Sequence, residues 1–268
     1  MEISFWGVRG TTPESGEDRL KYGGHTICSS VETDGGERII IDAGTGIKRL
    51  GDRIVAKNRG ESFRVNILMT HFHLDHIIGL PFFAPLYAKQ AALHFYSPYG
   101  TQETESCLKG LMSGRYFPVE FDETPSRKTI HQIKDEHFVL GAVQISCCPL
   151  RHPQRSVAYR LNSDETSIVL ATDTEHPQQG IDRKLADFIR DAGVFVYDAT
   201  FTPEEYESGR RGWGHSTWLE GTKLANAAGV EELYLSHFNP DHTDATIDEF
   251  VSLAKEKFPN TRGARETA

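Results

Sequence analysis

The sequence has no excess of basic residues, no paired cysteines and no long apolar run, and each shortage removes a class of function. Its 29 Lys and Arg are outnumbered by 38 Asp and Glu, a net charge of −9 at pH 7. There is no sequence-wide basic field to hold a polynucleotide through its phosphates, so no long nucleic acid is expected as a partner. The four cysteines, Cys28, Cys107, Cys147 and Cys148, form no C-x-x-C pair. A domain able to bury a full core needs no disulfide framework, and the adjacent Cys147 and Cys148 read as packing residues in an apolar run. The start, MEISFWGVRG, lacks the basic segment, apolar core and small-residue cleavage site of a signal peptide. No apolar run approaches the roughly 18 residues of a membrane span. The expectation is a cytoplasmic protein with no membrane partner, and with a homodimer as the one oligomer entertained. Without a fixed-period repeat or low-complexity linker, one domain is expected over residues 1–259, followed by a polar tail at 260–268.

What is present is a set of short apolar runs with informative endings. Strands are expected at Ile3 to Val8, Arg38 to Asp42, Val65 to Thr70, Val143 to Pro149, Val157 to Leu161, Ser167 to Thr172, Val194 to Asp198 and Glu232 to Ser236. Helices are expected around Arg49 to Val55, and at Asp182 to Asp191, Thr217 to Ala228 and Thr246 to Phe258. Four strands run directly into a potential metal ligand: His71, His152, Asp173 and His237. Strand ends in a common sheet can converge, because the sheet fixes the backbone while the loops leave side chains free to turn inward.

The central signal is HFHLDH at residues 71 to 76. His71 and His73 share one face of an extended segment, and a turn at Leu74 brings Asp75 and His76 round to a second point. Neutral imidazoles and carboxylates suit zinc or a similar divalent ion, and two ions could share one bridging carboxylate and one hydroxide. Three His and one Asp at these offsets arise by chance in about one random sequence per thousand, whereas a lone polar residue after a strand is ordinary turn chemistry.

At HFHLDH the chain resembles the metallo-β-lactamase-fold superfamily, whose H-x-H-x-D-H motif is followed by a His, an Asp and a last His at later strand ends. Here those are His152, Asp173 and His237. The resemblance implies an α/β fold, a single-domain αββα four-layer sandwich, with metals at the sheet edge. It implies that His71, His73 and His152 bind a first metal, that Asp75, His76 and His237 bind a second, and that Asp173 bridges them. Two divalent ions per chain are implied, zinc first, with manganese or iron as alternatives. FWGVRGTTP (5 to 13), YGGHTIC (22 to 28) and IDAGTGI (41 to 47) are similar to the phosphodiesterase-like branch that includes ribonuclease Z. Tyr197-Asp198-Ala199-Thr200 and Gly214-His215-Ser216-Thr217 are similar to two further ribonuclease Z segments. Asp75, Asp198 and His215 are thereby implied as catalytic residues. Two departures stand out: His25 occupies a position where Asn is expected, and the long tRNA-gripping arm has no evident counterpart, Leu80 to Phe121 reading as an aromatic-rich insertion.

The resulting expectation is a metal-dependent phosphodiesterase that attacks a small anionic phosphodiester, a cyclic nucleotide, with a dimetal-bound hydroxide. Two metals bring about four positive charges to the site, so an acidic chain can hold an anionic substrate. Alternatives on the same metal core are ribonuclease Z-like RNA processing and thioester or lactam hydrolysis. From other classes, a di-iron redox protein generally carries a carboxylate where His73 stands, and a metal-free binding module has no need of seven ligands. Arg9 could reach substrate or form a structural hydrogen bond, and Arg210-Arg211 could grip a phosphate or be solvated. The aromatics of residues 80 to 121 read as core before they read as a base pocket.

Overall fold

The computed structural model describes residues 1–58, 60–134, 137–163 and 166–267. The chain divides into two compact units that are interleaved in sequence. One comprises Glu2–Gly7, His25–Lys134 and Thr267–Ala268; the other comprises Met1, Val8–Gly24 and Asp135–Glu266. No change of composition marks this division within the span read as one domain, because each unit is an open sheet with its own covering helices.

In the first unit six strands lie side by side in chain order: β1 (Glu2–Gly7), β2 (Cys28–Glu32), β3 (Arg38–Ile41), β4 (Phe63–Leu68), β5 (Ala91–Ser97) and β6 (Arg127–Gln132). β1 to β3 form an antiparallel meander, and β3 to β6 are parallel. Parallel neighbours need crossovers. These are α1 (Ile47–Asn58), the single turn α2 (Leu74–Ile77) followed by two 3-10 turns, and α3 (Thr101–Leu111). α1 buries Ile47, Leu50, Gly51 and Ile54, a spacing of three and four that turns one face onto a core containing Ile40, Ile67, Phe83 and Phe95. Truncating a buried leucine such as Leu50 to alanine costs about 2–5 kcal/mol. Ile41 pairs with Leu68, so β3 and β4 end at one level and deliver the residues after them to one edge.

The second unit holds seven strands: β7 (His137–Leu140), β8 (Val143–Leu150), β9 (Ser156–Asn162), β10 (Ser167–Ala171), β11 (Val194–Asp198), β12 (Glu232–Ser236) and β13 (Thr261–Gly263). β7 to β10 are antiparallel, and β10 to β13 are parallel. Their crossovers are α4 (Arg183–Phe188), α5 (Pro203–Glu205) with α6 (Trp218–Ala228), and α7 (Asp244–Lys257). Ala171 pairs with Tyr197 and Asp198 with Ser236, so Asp173, Asp198 and His237 emerge at the same edge.

Residues 260–268, read as a polar tail, supply β13, and Ala264 is fully buried. A strand paired through its backbone needs no apolar side chains, which is why this one left no mark in the sequence. The insertion at Leu80 to Phe121 contains β5 and α3, and its Leu80, Phe83, Leu86, Phe95, Leu108 and Phe121 belong to the core of the first unit. Among the described residues no helix is long and apolar enough to cross a membrane, and all four cysteines are free thiols.

Candidate functional site

In the first unit the site residues are organised by a carboxylate that sequence reasoning passed over. Asp42, at the end of β3, has a left-handed φ of +60°. It accepts from the Thr70 backbone N–H at 2.8 Å, the Thr70 hydroxyl at 2.7 Å and His76 Nδ1 at 2.8 Å. Because the Thr70 proton is given to Asp42, the hydroxyl oxygen accepts from His71 Nδ1 at 3.1 Å. Both imidazoles are thereby held as Nδ1–H tautomers, which places the lone pair on Nε2, the arrangement a metal-ligating histidine requires. The His71 ring centroid lies 4.5 Å from that of His73 and 4.2 Å from that of His76, and Asp75 Oδ2 is 3.6 Å from His76 Nε2. The turn is fastened by Ala43 N–H donating to the His76 carbonyl at 2.7 Å.

The second unit repeats the device. Asp198, fully buried, accepts from the backbone N–H groups of Asp173 (2.9 Å), Thr200 (3.1 Å) and Ser216 (3.2 Å), from the Thr200 hydroxyl (2.8 Å) and from His215 Nδ1 (2.9 Å). The Thr200 oxygen accepts in turn from His237 Nδ1 at 2.9 Å. His152 Nδ1 donates to the Gly214 carbonyl at 2.9 Å. Burial alone would push the Asp198 carboxyl up, but the charge and hydrogen bond of His215, with His237 beyond it, hold it below the usual carboxylate range. Asp173 and His237 both adopt left-handed φ, +57° and +59°, an unfavourable backbone state that persists where surrounding structure fixes it. His237 Nε2 lies 3.2 Å from Asp173 Oδ1. His152, Asp173 and His215 offer ligand atoms within 4.8 Å of one another. The His237 ring also requires Gly10, where a Cβ would stand 2.2 Å from its Cε1.

His215 does not serve as the cap of α6; Thr217 does, accepting from the Glu220 N–H. Arg9 is fully buried and donates to the carbonyls of Gly23, Asn239 and His242, so its role is structural. His25 donates to or accepts from the Thr45 hydroxyl at 3.1 Å, fixing the Gly-Thr-Gly turn. Arg211 pairs with Glu207, whereas Arg210 lies over the ring of Trp213. Beside His215 the second unit has a cavity of about 670 Å³, walled by Thr12, Thr200, Phe201, Trp213 and Asn239. Thr70 has no signal of its own, because a threonine after a strand is commonplace, while Asp42 and Thr200 stand inside the quoted IDAGTGI and Tyr197-Asp198-Ala199-Thr200 segments without a role of their own; the strand-end position, facing a histidine, is the signal that could have found all three.

Comparison with known proteins gives these motifs their context. A profile of the Beta-lactamase superfamily domain matches residues 37–238. Ribonuclease Z of Bradyrhizobium sp. (strain ORS 278) is 27% identical over 282 residues, covering 87% of this chain and 89% of that one. Among solved structures, the metallo-β-lactamase-fold protein YhfI of Bacillus subtilis is 18% identical with a TM-score of 0.74, covering 99% of this chain and 96% of its own. The human short-form tRNase Z is 17% identical with a TM-score of 0.64, covering 89% and 93%. A diphosphatase of the PhnP family is 17% identical with a TM-score of 0.68, covering 99% and 95%. These relatives overturn one expectation. Net acidity argues against a long nucleic acid, yet the Bradyrhizobium relative is named as a ribonuclease Z and the human structure as a tRNase Z; overall charge excludes only binding through a general basic field, not through a local site. The chain belongs to the beta-lactamase superfamily, as a metal-dependent hydrolase of the metallo-β-lactamase fold.

Proposed function

We propose that this hydrolase is a phosphodiesterase working in the cytoplasm with two divalent ions, zinc first among them. His71, His73 and His152 would hold one ion, Asp75, His76 and His237 the other, and Asp173 would bridge. The donor set fits: His71, His76, His152 and His237 each have Nδ1 engaged by an oxygen, which leaves Nε2 as the ligating atom. Bound there, such ions supply an activated water at neutral pH and neutralise phosphoryl oxygens.

The observation that carries the choice of phosphodiesters is the His215–Asp198 pair. Hydrolysis at phosphorus releases an alkoxide, a poor leaving group that needs a proton in the transition state. His215, with 15% of its side chain exposed, can give that proton from Nε2 while Asp198 holds Nδ1–H and keeps the ring aimed. A nucleotide is the substrate class, in its simplest form a cyclic nucleotide; the 670 Å³ cavity beside His215 is in the range that encloses one small molecule. RNA cleavage of the ribonuclease Z kind is the second reading, favoured by the names of the relatives. A screen of the metal-loaded chain against cyclic mono- and dinucleotides, short RNA, lactams and thioesters tests both: turnover confined to lactams or thioesters overturns the phosphodiesterase reading.

A further inference from the structure

We propose that Trp213, roofed on one face by Arg210, is the platform on which a nucleobase stacks while its phosphodiester is presented to His215. The inference rests on the phosphodiesterase reading and assigns the group that selects the substrate. Trp213 is 56% exposed, whereas Trp6 and Trp218 are buried. An indole left half in water forgoes burial that folding alone would favour. The ring is nevertheless held. The Arg210 guanidinium lies 4.6 Å from its centroid, and Phe201 meets its edge at 6.3 Å and 77°. Arg211 is engaged by Glu207, but among the described residues no carboxylate pairs with Arg210, so its charge remains available to an anion.

These rings continue inward. Phe201 stands edge-on to His215 at 6.0 Å, and His215 stacks on His237 at 4.9 Å. The file from His237 to Trp213 has the order of a nucleotide: the phosphoryl group by His215, the ribose along Phe201, the planar base on Trp213. Stacking accepts any base, because every base has a π-face, and the hydroxyl of Thr12 and the amide of Asn239 in the cavity wall can meet its polar edge.

The platform is also fixed in place. Glu175 accepts from Gly212 N–H at 2.7 Å, Gly214 N–H at 2.9 Å and the Tyr206 hydroxyl at 2.7 Å. Gly212 and Gly214 have φ of +83° and +85°. One carboxylate thus ties both sides of the Trp213 position to the segment that follows Asp173, which reduces the ordering cost that a loose loop would add on binding.

The test uses tryptophan fluorescence of the metal-loaded chain, in which Trp213 is the exposed fluorophore. Three ligands are titrated: adenosine 5′-monophosphate, a short oligoribonucleotide, and ribose 5-phosphate, which carries the charge without the base. Saturable quenching by the base-bearing ligands and none by ribose 5-phosphate is expected. By calorimetry Trp213→Ala should weaken binding of the base-bearing ligands about tenfold or more, Trp213→Phe should retain most of it, and Arg210→Gln should lose about fivefold. Equal affinity for ribose 5-phosphate and the mononucleotide, or undiminished nucleotide binding by Trp213→Ala, overturns the platform. A tighter oligoribonucleotide points to RNA as the source of the base, and a tighter mononucleotide to a small substrate. Base-dependent binding without hydrolysis of the oligoribonucleotide or of a cyclic nucleotide would keep the platform and remove the phosphodiesterase reading; hydrolysis of these diesters indifferent to the base would do the reverse.

Discussion

His215 Nδ1 lies 2.9 Å from Oδ2 of Asp198, a carboxylate with no exposed surface. This contact separates two roles for His215. As the proton donor, His215→Ala should retain the fold and the metals yet lose on the order of 10²-fold or more in rate on a ribose ester. It should lose much less on a p-nitrophenyl ester, whose phenolate departs without a proton. Equal losses on the two substrates would reduce His215 to a positioning residue.

Asp42 acts on metal affinity without being among the proposed ligands. Asp42→Asn keeps the shape but cannot satisfy the Thr70 hydroxyl, the Thr70 N–H and His76 Nδ1 together. Metal affinity should fall 10–100-fold, in the usual range for partners of ligating histidines. Competition with a chromogenic chelator measures it, and unchanged affinity would show that Thr70 alone sets the tautomers.

Gly10→Ala should displace the His237 imidazole, since the new Cβ would overlap the ring. The backbone at Gly10 is held by its N–H to the Phe238 carbonyl at 3.1 Å, so the ring must give way. Metal content per chain, measured by elemental analysis, should drop toward one ion. Two ions bound at full affinity would place His237 outside the ligand set.

Stability should depend on pH through a histidine pair remote from the ligands. His94 Nδ1 and His131 Nε2 are 2.9 Å apart, with Tyr96 stacked on His131. Burial first, and then the charge of Arg64, holds both below the ordinary histidine range; Arg127 adds to the effect on His94. A folded pKa below the unfolded value means that stability is complete above pH about 6.5 and is lost as pH falls below it toward the folded values. The melting temperature should fall between pH 7.5 and 5.5, and the double variant His94→Gln, His131→Gln should show a smaller fall. An equal fall in both proteins would assign the acid sensitivity elsewhere.

Much of this was legible in the residues, for physical reasons. β11 and β12 were read with their observed bounds because each is a buried apolar run ended by polar residues. HFHLDH stood out because ligand chemistry demands residue types at fixed offsets. β6 and β7 were not legible: their side chains are largely exposed or half-buried, so no alternation of apolar residues announces them. Arg9 could not be decided from its turn sequence, because its acceptors at Asn239 and His242 lie more than two hundred residues away.

The interleaving of the two units has a genetic meaning. A gene split after Lys134 would divide the six-stranded sheet from the seven-stranded one, yet it would leave residues 8–24 on the wrong fragment. Arg9 would then be separated from the carbonyls of Asn239 and His242, and Gly10 from the ring of His237. A split that kept each unit whole would therefore have to carry the seventeen residues Val8–Gly24 with the later part of the chain.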